Sequence, residues 1–124
     1  MASTVTIENK SVSQDRRSAL FYTTPTTVSG TETLMDRVDV SMYSKLTVQL
    51  LNTDATDATV KVYGSIKNEP SGVAGGTDWV QVGDDITLDG GVIKAISTTP
   101  LRYLHIIGTG DTAVVTCWVY AEQV

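Results

Sequence analysis

The chain has 124 residues and a mass of 13.3 kDa, room for one domain of the usual roughly 100–150 residues and not for two catalytic ones. Hydrophobic residues make up 41% and charged ones 19%, a balance that excludes both a disordered chain and a helical membrane span. The formal net charge is −5, and the nine Lys and Arg are scattered from Lys10 to Arg102, so no concentrated positive surface exists for nucleic acid.

The chain holds 19 threonines and 16 valines, more than a quarter of its residues. Both are β-branched, suit a pleated surface and lose rotamer freedom in helices, so strands are expected throughout. Residues 1–32 are rich in Ser and Thr, with short apolar pieces only around Val5 to Ile7 and Ala19 to Tyr22. They read as an extended arm that gains order against a neighbouring chain, with ordinary edge strands of the same domain as the alternative. The arm's anchors would be Val5, Ile7, Leu20, Phe21 and Tyr22. Residues 33–124 are expected to form the domain proper.

Lys45-Leu46-Thr47-Val48-Gln49-Leu50 alternates polar and apolar, which places Leu46, Val48 and Leu50 in a core and Lys45, Thr47 and Gln49 outside. After the turn-rich residues 52–57, Thr59-Val60-Lys61-Val62-Tyr63-Gly64 alternates again and is expected to pair with the first run as a hairpin. Residues 68–78 are dense in Gly and Pro and read as a surface loop leading to a short strand at Trp79. Ile86 to Leu88 and Val92 to Ile96 flank Asp89-Gly90-Gly91, the residues of a tight hairpin. Residues 101–107 and 113–120 would be joined by a turn at Gly108-Thr109-Gly110-Asp111. Their apolar character on both faces, with Trp118 and Tyr120 outside, suits a covered face or a subunit contact. The fold class is therefore all-β, a single antiparallel sandwich of jelly-roll type. Its expected core is Leu46, Val48, Leu50, Val60, Val62, Ile86, Leu88, Leu104, Ile106, Val115, Cys117 and Val119.

Chemistry is poorly represented. His105 is the one imidazole and Cys117 the one thiol, so neither a triad nor a zinc site is expected, and a lone thiol forms no internal disulfide. Asp54, Asp57, Asp84, Asp85 and Asp89 fall at turns without the spacing of an EF-hand. Gly72, Gly75 and Gly76 lack the Lys-Ser or Lys-Thr of a phosphate loop, and Asn9-Lys10-Ser11 is expected to be a chance sequon, since Met1 to Glu8 has neither the basic nor the apolar region of a secretion signal. The expectation is a protein that is not an enzyme, with no catalytic residues, no cofactor and no metal.

The runs DVSMYSKLTV (39–48), VKVYGS (60–65), Asp78-Trp79 and PLRYLHI (100–106) together resemble the layout of small β-sandwich structural proteins of tailed bacteriophage particles. That resemblance implies a virion decoration or cement protein made in the host bacterial cytoplasm. Its partners would be the major capsid protein or another virion protein, together with copies of itself as a homotrimer, and neither nucleic acid nor membrane. Val5, Ile7, Leu20, Phe21, Tyr22, Trp118 and Tyr120 would bind partners. The Gly64-Ser65, Trp79 and Arg102-Tyr103 spacing also resembles discoidin-like jelly rolls, which implies a carbohydrate-binding or host-receptor-binding module with Tyr63, Trp79 and Tyr103 as stacking rings.

Overall fold

The computed structural model describes residues 5–12, 17–67, 70, 78–91, 93–98 and 100–123. All regular structure among them is strand: β1 (Val5–Val12), β2 (Arg17–Thr23), β3 (Thr26–Asp39), β4 (Lys45–Asn52), β5 (Ala58–Ser65), β6 (Val80–Gln81), β7 (Ile86–Leu88), β8 (Ile93–Thr98) and β9 (Tyr103–Glu122). Every pairing is antiparallel, as the all-β sandwich reading requires.

The organising element is β9. Its first half, from Tyr103 to Gly110, lies between β3 and β5; its second half, from Trp118 to Glu122, lies between β2 and β4. Sheet order in the second half is β1-β2-β9-β4-β8. The two ends of β9 meet. Val40 N–H donates to the Arg102 carbonyl at 3.0 Å, Ser44 N–H donates to the Glu122 carbonyl at 2.9 Å, and Tyr43 N–H closes a turn on the Val40 carbonyl between them. The strand therefore curls back on itself, and its two halves face one another as the layers of a sandwich.

The expected hairpin at residues 108–111 is replaced by this curl. Gly30 and Gly110 face each other across β3 and β9, Gly30 with φ +78°. Gly108 and Gly110 come so close to Leu34 and to the Asp57 carbonyl that a Cβ would lie 3.1 Å from each. Next to them Thr112, at φ +64°, is an unpaired bulge residue between the pairs Ser29 with Asp111 and Val28 with Ala113. Glycines and a bulge bend a strand where partners continue on both sides; a hairpin would need them to reverse it.

Two other expected hairpins are crossings between layers. β4 and β5 do not pair with each other: both pair with β9, one on each half. β7 pairs with β5 and β8 with β4, so the Asp89-Gly90-Gly91 turn also carries the chain from layer to layer. Asn52, fully buried, joins the two crossings. Its Nδ2 donates to the Thr56 carbonyl (2.7 Å) and the Leu88 carbonyl (3.2 Å), its Oδ1 accepts from Asp54 N–H, and its own carbonyl accepts from Gly91 N–H. Gly90 passes so close to Ala55 that a Cβ there would lie 2.6 Å from backbone atoms.

All twelve expected core residues are buried. The arm expected over residues 1–32 gives way, from β2 onward, to strands of the same chain: Ser18 to Tyr22 and Thr26 to Asp39 run the length of β9, and Ala19, Phe21 and Val28 are buried in the core. The physical reason is the alternation of Ala19, Phe21 and Thr23 inward with Leu20 and Tyr22 outward, which fits the pleat of β9.

Candidate functional site

Two bulges in β3, at Thr33/Met35 and Met35/Val38, turn Asp36 and Arg37 toward His105 on the neighbouring strand. His105 is 1% exposed; its Nδ1 lies 3.3 Å from Asp36 Oδ1 and 3.4 Å from Arg37 N–H, and Trp79 packs on the ring at 5.2 Å. Burial lowers its pKa, opposed by the Asp36 charge and reinforced by that of Arg37. A neutral ring satisfies one of its two Nδ1 neighbours, because the carboxylate needs a proton there and the backbone N–H needs a lone pair. This is a structural clasp holding Trp79 against the sheet, reinforced by Arg37 Nη1 donating to the Pro70 carbonyl at 3.2 Å.

The turn carboxylates are dispersed. Asp54 caps Thr56 N–H within its own turn, and Asp85 accepts from Gln81 and lies 3.7 Å from Lys61. No group of three metal-ligating side chains occurs among the described residues. Gly72, Gly75, Gly76 and most of the 68–78 loop lie outside the described residues.

Of the residues expected to bind partners, four come together. Leu20 pairs with Tyr120 and Tyr22 with Trp118 across β2 and β9, on the outward face of the β1-β2-β9-β4-β8 sheet. On the other flank Thr47 faces Tyr120 and Gln49 faces Trp118. Leu20, Thr47, Gln49, Trp118 and Tyr120 line an open groove of about 230 Å³. Phe21 does not belong to it: it points into the core, edge-on to Tyr43 with ring centres 6.3 Å apart. Val5 and Ile7 occupy β1 positions opposite Thr23 and Phe21, and their side chains lie outside the described residues.

The three rings expected to stack on a ligand do not form a platform. Tyr63 and Trp79 are buried, one opposite His105 and one packed against its ring. Tyr103 is half-buried with the Arg102 guanidinium 5.4 Å above its ring.

A second surface was not visible in the sequence. The most exposed large apolar side chains among the described residues are Ile66 (74%), Val80 (56%) and Met42 (47%). All three fall by register at the end of the sandwich where β9 begins and ends: Met42 in the turn between Val40 and Ser44, Ile66 directly after the pair Ser65 with Tyr103, and Val80 opposite Gly64. At that end a small apolar cleft of about 10 Å³ lies between the layers, lined by Val40, Leu46, Leu101 and Leu104 among others. Thr47 and Gln49 were legible as outward residues, but only the pairing of β4 with β9 sets them beside Trp118 and Tyr120.

No family model and no curated protein sequence matches the chain. Among solved structures, the crystal structure of PirA superposes with a TM-score of 0.50 at 12% identity, over 90% of this chain and 97% of that one. A structure of Bacillus endospore appendages, described as disulfide-linked pili, gives 0.47 at 11% identity over 98% and 93%. A RmlC-like cupin from Desulfovibrio desulfuricans gives 0.35 at 11% identity over 93% and 80%. The likeness to PirA is one of fold.

Proposed function

We propose that this chain is a non-enzymatic structural protein of a bacteriophage particle, a decoration or cement subunit that seats on the capsid shell and stabilises it. One observation carries the reading: the three most exposed large apolar side chains among the described residues, Met42, Ile66 and Val80, fall by register at a single end of the sandwich, the end that holds a small apolar cleft between its layers. Exposed apolar groups gathered in one place favour burial against another protein, and scattered singly they would mean little. Among the described residues the His105 clasp is buried and the turn carboxylates are dispersed. The chain joins copies of itself as a homotrimer on the particle, with the major capsid protein or another virion protein beneath.

Cryo-electron microscopy of the source particle tests this. Density for the sandwich on the shell, with the end bearing Met42 and Ile66 seated against capsid protein, is the expected result. Ile66→Glu should leave the purified chain folded and abolish its recovery with particles. Particles that lack the chain altogether would overturn the proposal.

A further inference from the structure

We infer that the groove on the outward face of the β1-β2-β9-β4-β8 sheet is a binding site for a neutral saccharide, with Trp118 and Tyr120 as the stacking rings. This goes beyond the seating role, which uses the end of the sandwich. The groove's aromatic floor comes from two residues on one face of β9, set about 6 to 7 Å apart by the strand rise. Aromatic faces of this kind offer large apolar contact to the C–H face of a sugar ring while leaving the ring's hydroxyls free at its edge.

The hydrogen-bonding groups needed for those hydroxyls stand beside the rings. Gln49 is directly opposite Trp118 and Thr47 directly opposite Tyr120, and neither side chain makes a hydrogen bond within the described chain. A glutamine offers one acceptor and two donors, a threonine one hydroxyl that does both.

Charge and backbone pairing narrow the ligand class. Among the described side chains none that lines the groove is charged; by register Glu8 of β1 stands opposite Leu20, and the next row sets Lys45 opposite Glu122. An anionic glycan or a nucleic acid would find no counter-ion among the lining residues. A peptide added as an extra strand is excluded at this place, since β9 and β4 are both paired on both sides and have no free edge. A groove of about 230 Å³ lies below the roughly 300 Å³ at which pockets for larger ligands begin, so the site accommodates about one sugar ring.

The test is a titration of ¹⁵N-labelled full chain with hexasaccharides of β-1,4-glucose, β-1,4-N-acetylglucosamine, α-1,4-glucose and α-1,6-mannose. Its readout is the two indole N–H signals, assigned with Trp118→Phe. The expected result is saturable movement of the Trp118 signal with at least one of them at a Kd on the order of 1 mM, with the Trp79 signal unmoved. Gln49→Ala, an exposed position, should weaken binding at least about fivefold with the spectrum otherwise intact. Trp118→Ala should abolish it. Silence of the Trp118 signal with all four sugars at about 10 mM overturns the inference. So does unchanged affinity in Gln49→Ala, or a Trp118 shift that depends on protein concentration without sugar, which would mean a second copy covers the face. Particle seating is unaffected by any of these outcomes, so the two proposals fail separately.

Discussion

Ile106 and Val115 lie on the same strand an odd number of residues apart, and both are fully buried in the same core. An uninterrupted strand would send them to opposite faces. Thr112, the extra residue in the β9 bulge, switches the inward set from Leu104 and Ile106 before it to Ala113, Val115, Cys117 and Val119 after it. Because Thr112 holds φ +64°, a conformation that costs a β-branched residue about 1–2 kcal/mol, Thr112→Gly should stabilise the chain by about 0.5–1 kcal/mol in urea unfolding. Deleting Thr112 restores strict alternation and should abolish cooperative unfolding, since half of β9 would then turn its apolar residues to water.

Asn52 holds the two layer crossings together through three side-chain hydrogen bonds in a site closed to solvent. Asn52→Ala leaves the Leu88 and Thr56 carbonyls without that donor. The expected loss is about 2–3 kcal/mol, read from the urea midpoint at constant slope. A loss under about 0.5 kcal/mol would show that water takes over the role.

The His105 clasp makes stability depend on pH. Its folded pKa lies below the unfolded value of about 6.5, so between the two the unfolded chain binds more protons. The contribution of the neutral ring is complete above about pH 6.5 and is lost as pH falls toward the folded pKa, by up to about 1.4 kcal/mol per pH unit. His105→Gln should flatten the stability curve between about pH 7 and 5 relative to the natural chain, measured by denaturant unfolding at each pH. Parallel curves for the two proteins would remove His105 as the cause.

Deletion of residues 2–24 removes β1 and β2, and with them the buried Ala19 and Phe21. The truncated chain should lose its cooperative thermal transition, because β9 and the core are then uncovered along one side. An arm that served docking alone would leave the melting temperature almost unchanged, and calorimetry distinguishes the two.

Burial pushes the Cys117 thiol up to about 12, and the side chain has no exposed surface. Its reaction with a disulfide reagent at pH 8 should therefore follow the opening of the fold and fall to negligible rates in the native state. Fast labelling without denaturant would contradict the placement of β9 between β2 and β4.

Alternation alone determined that this protein is a β-sandwich and twelve of the side chains that fill it, because period-two patterning is local and is written in stretches such as Lys45 to Leu50; Ala19, Phe21, Val28, Leu34 and Met35 joined the core only through the pairing of β2 and β3 with β9. What the sequence could not decide is which strands are neighbours. The glycines at 108, 110, 90 and 91 suit a hairpin as well as a bend, and the choice depends on whether partners exist on both sides, a question answered by residues far away in the chain. Only the tertiary structure made residues 103–122 one curled strand, brought β2 and β4 to its two sides, and so placed Leu20, Thr47, Gln49, Trp118 and Tyr120 on one face. It likewise covered Tyr63 and Trp79, whose aromatic character reads the same in sequence whether the ring meets solvent or a neighbouring segment of chain.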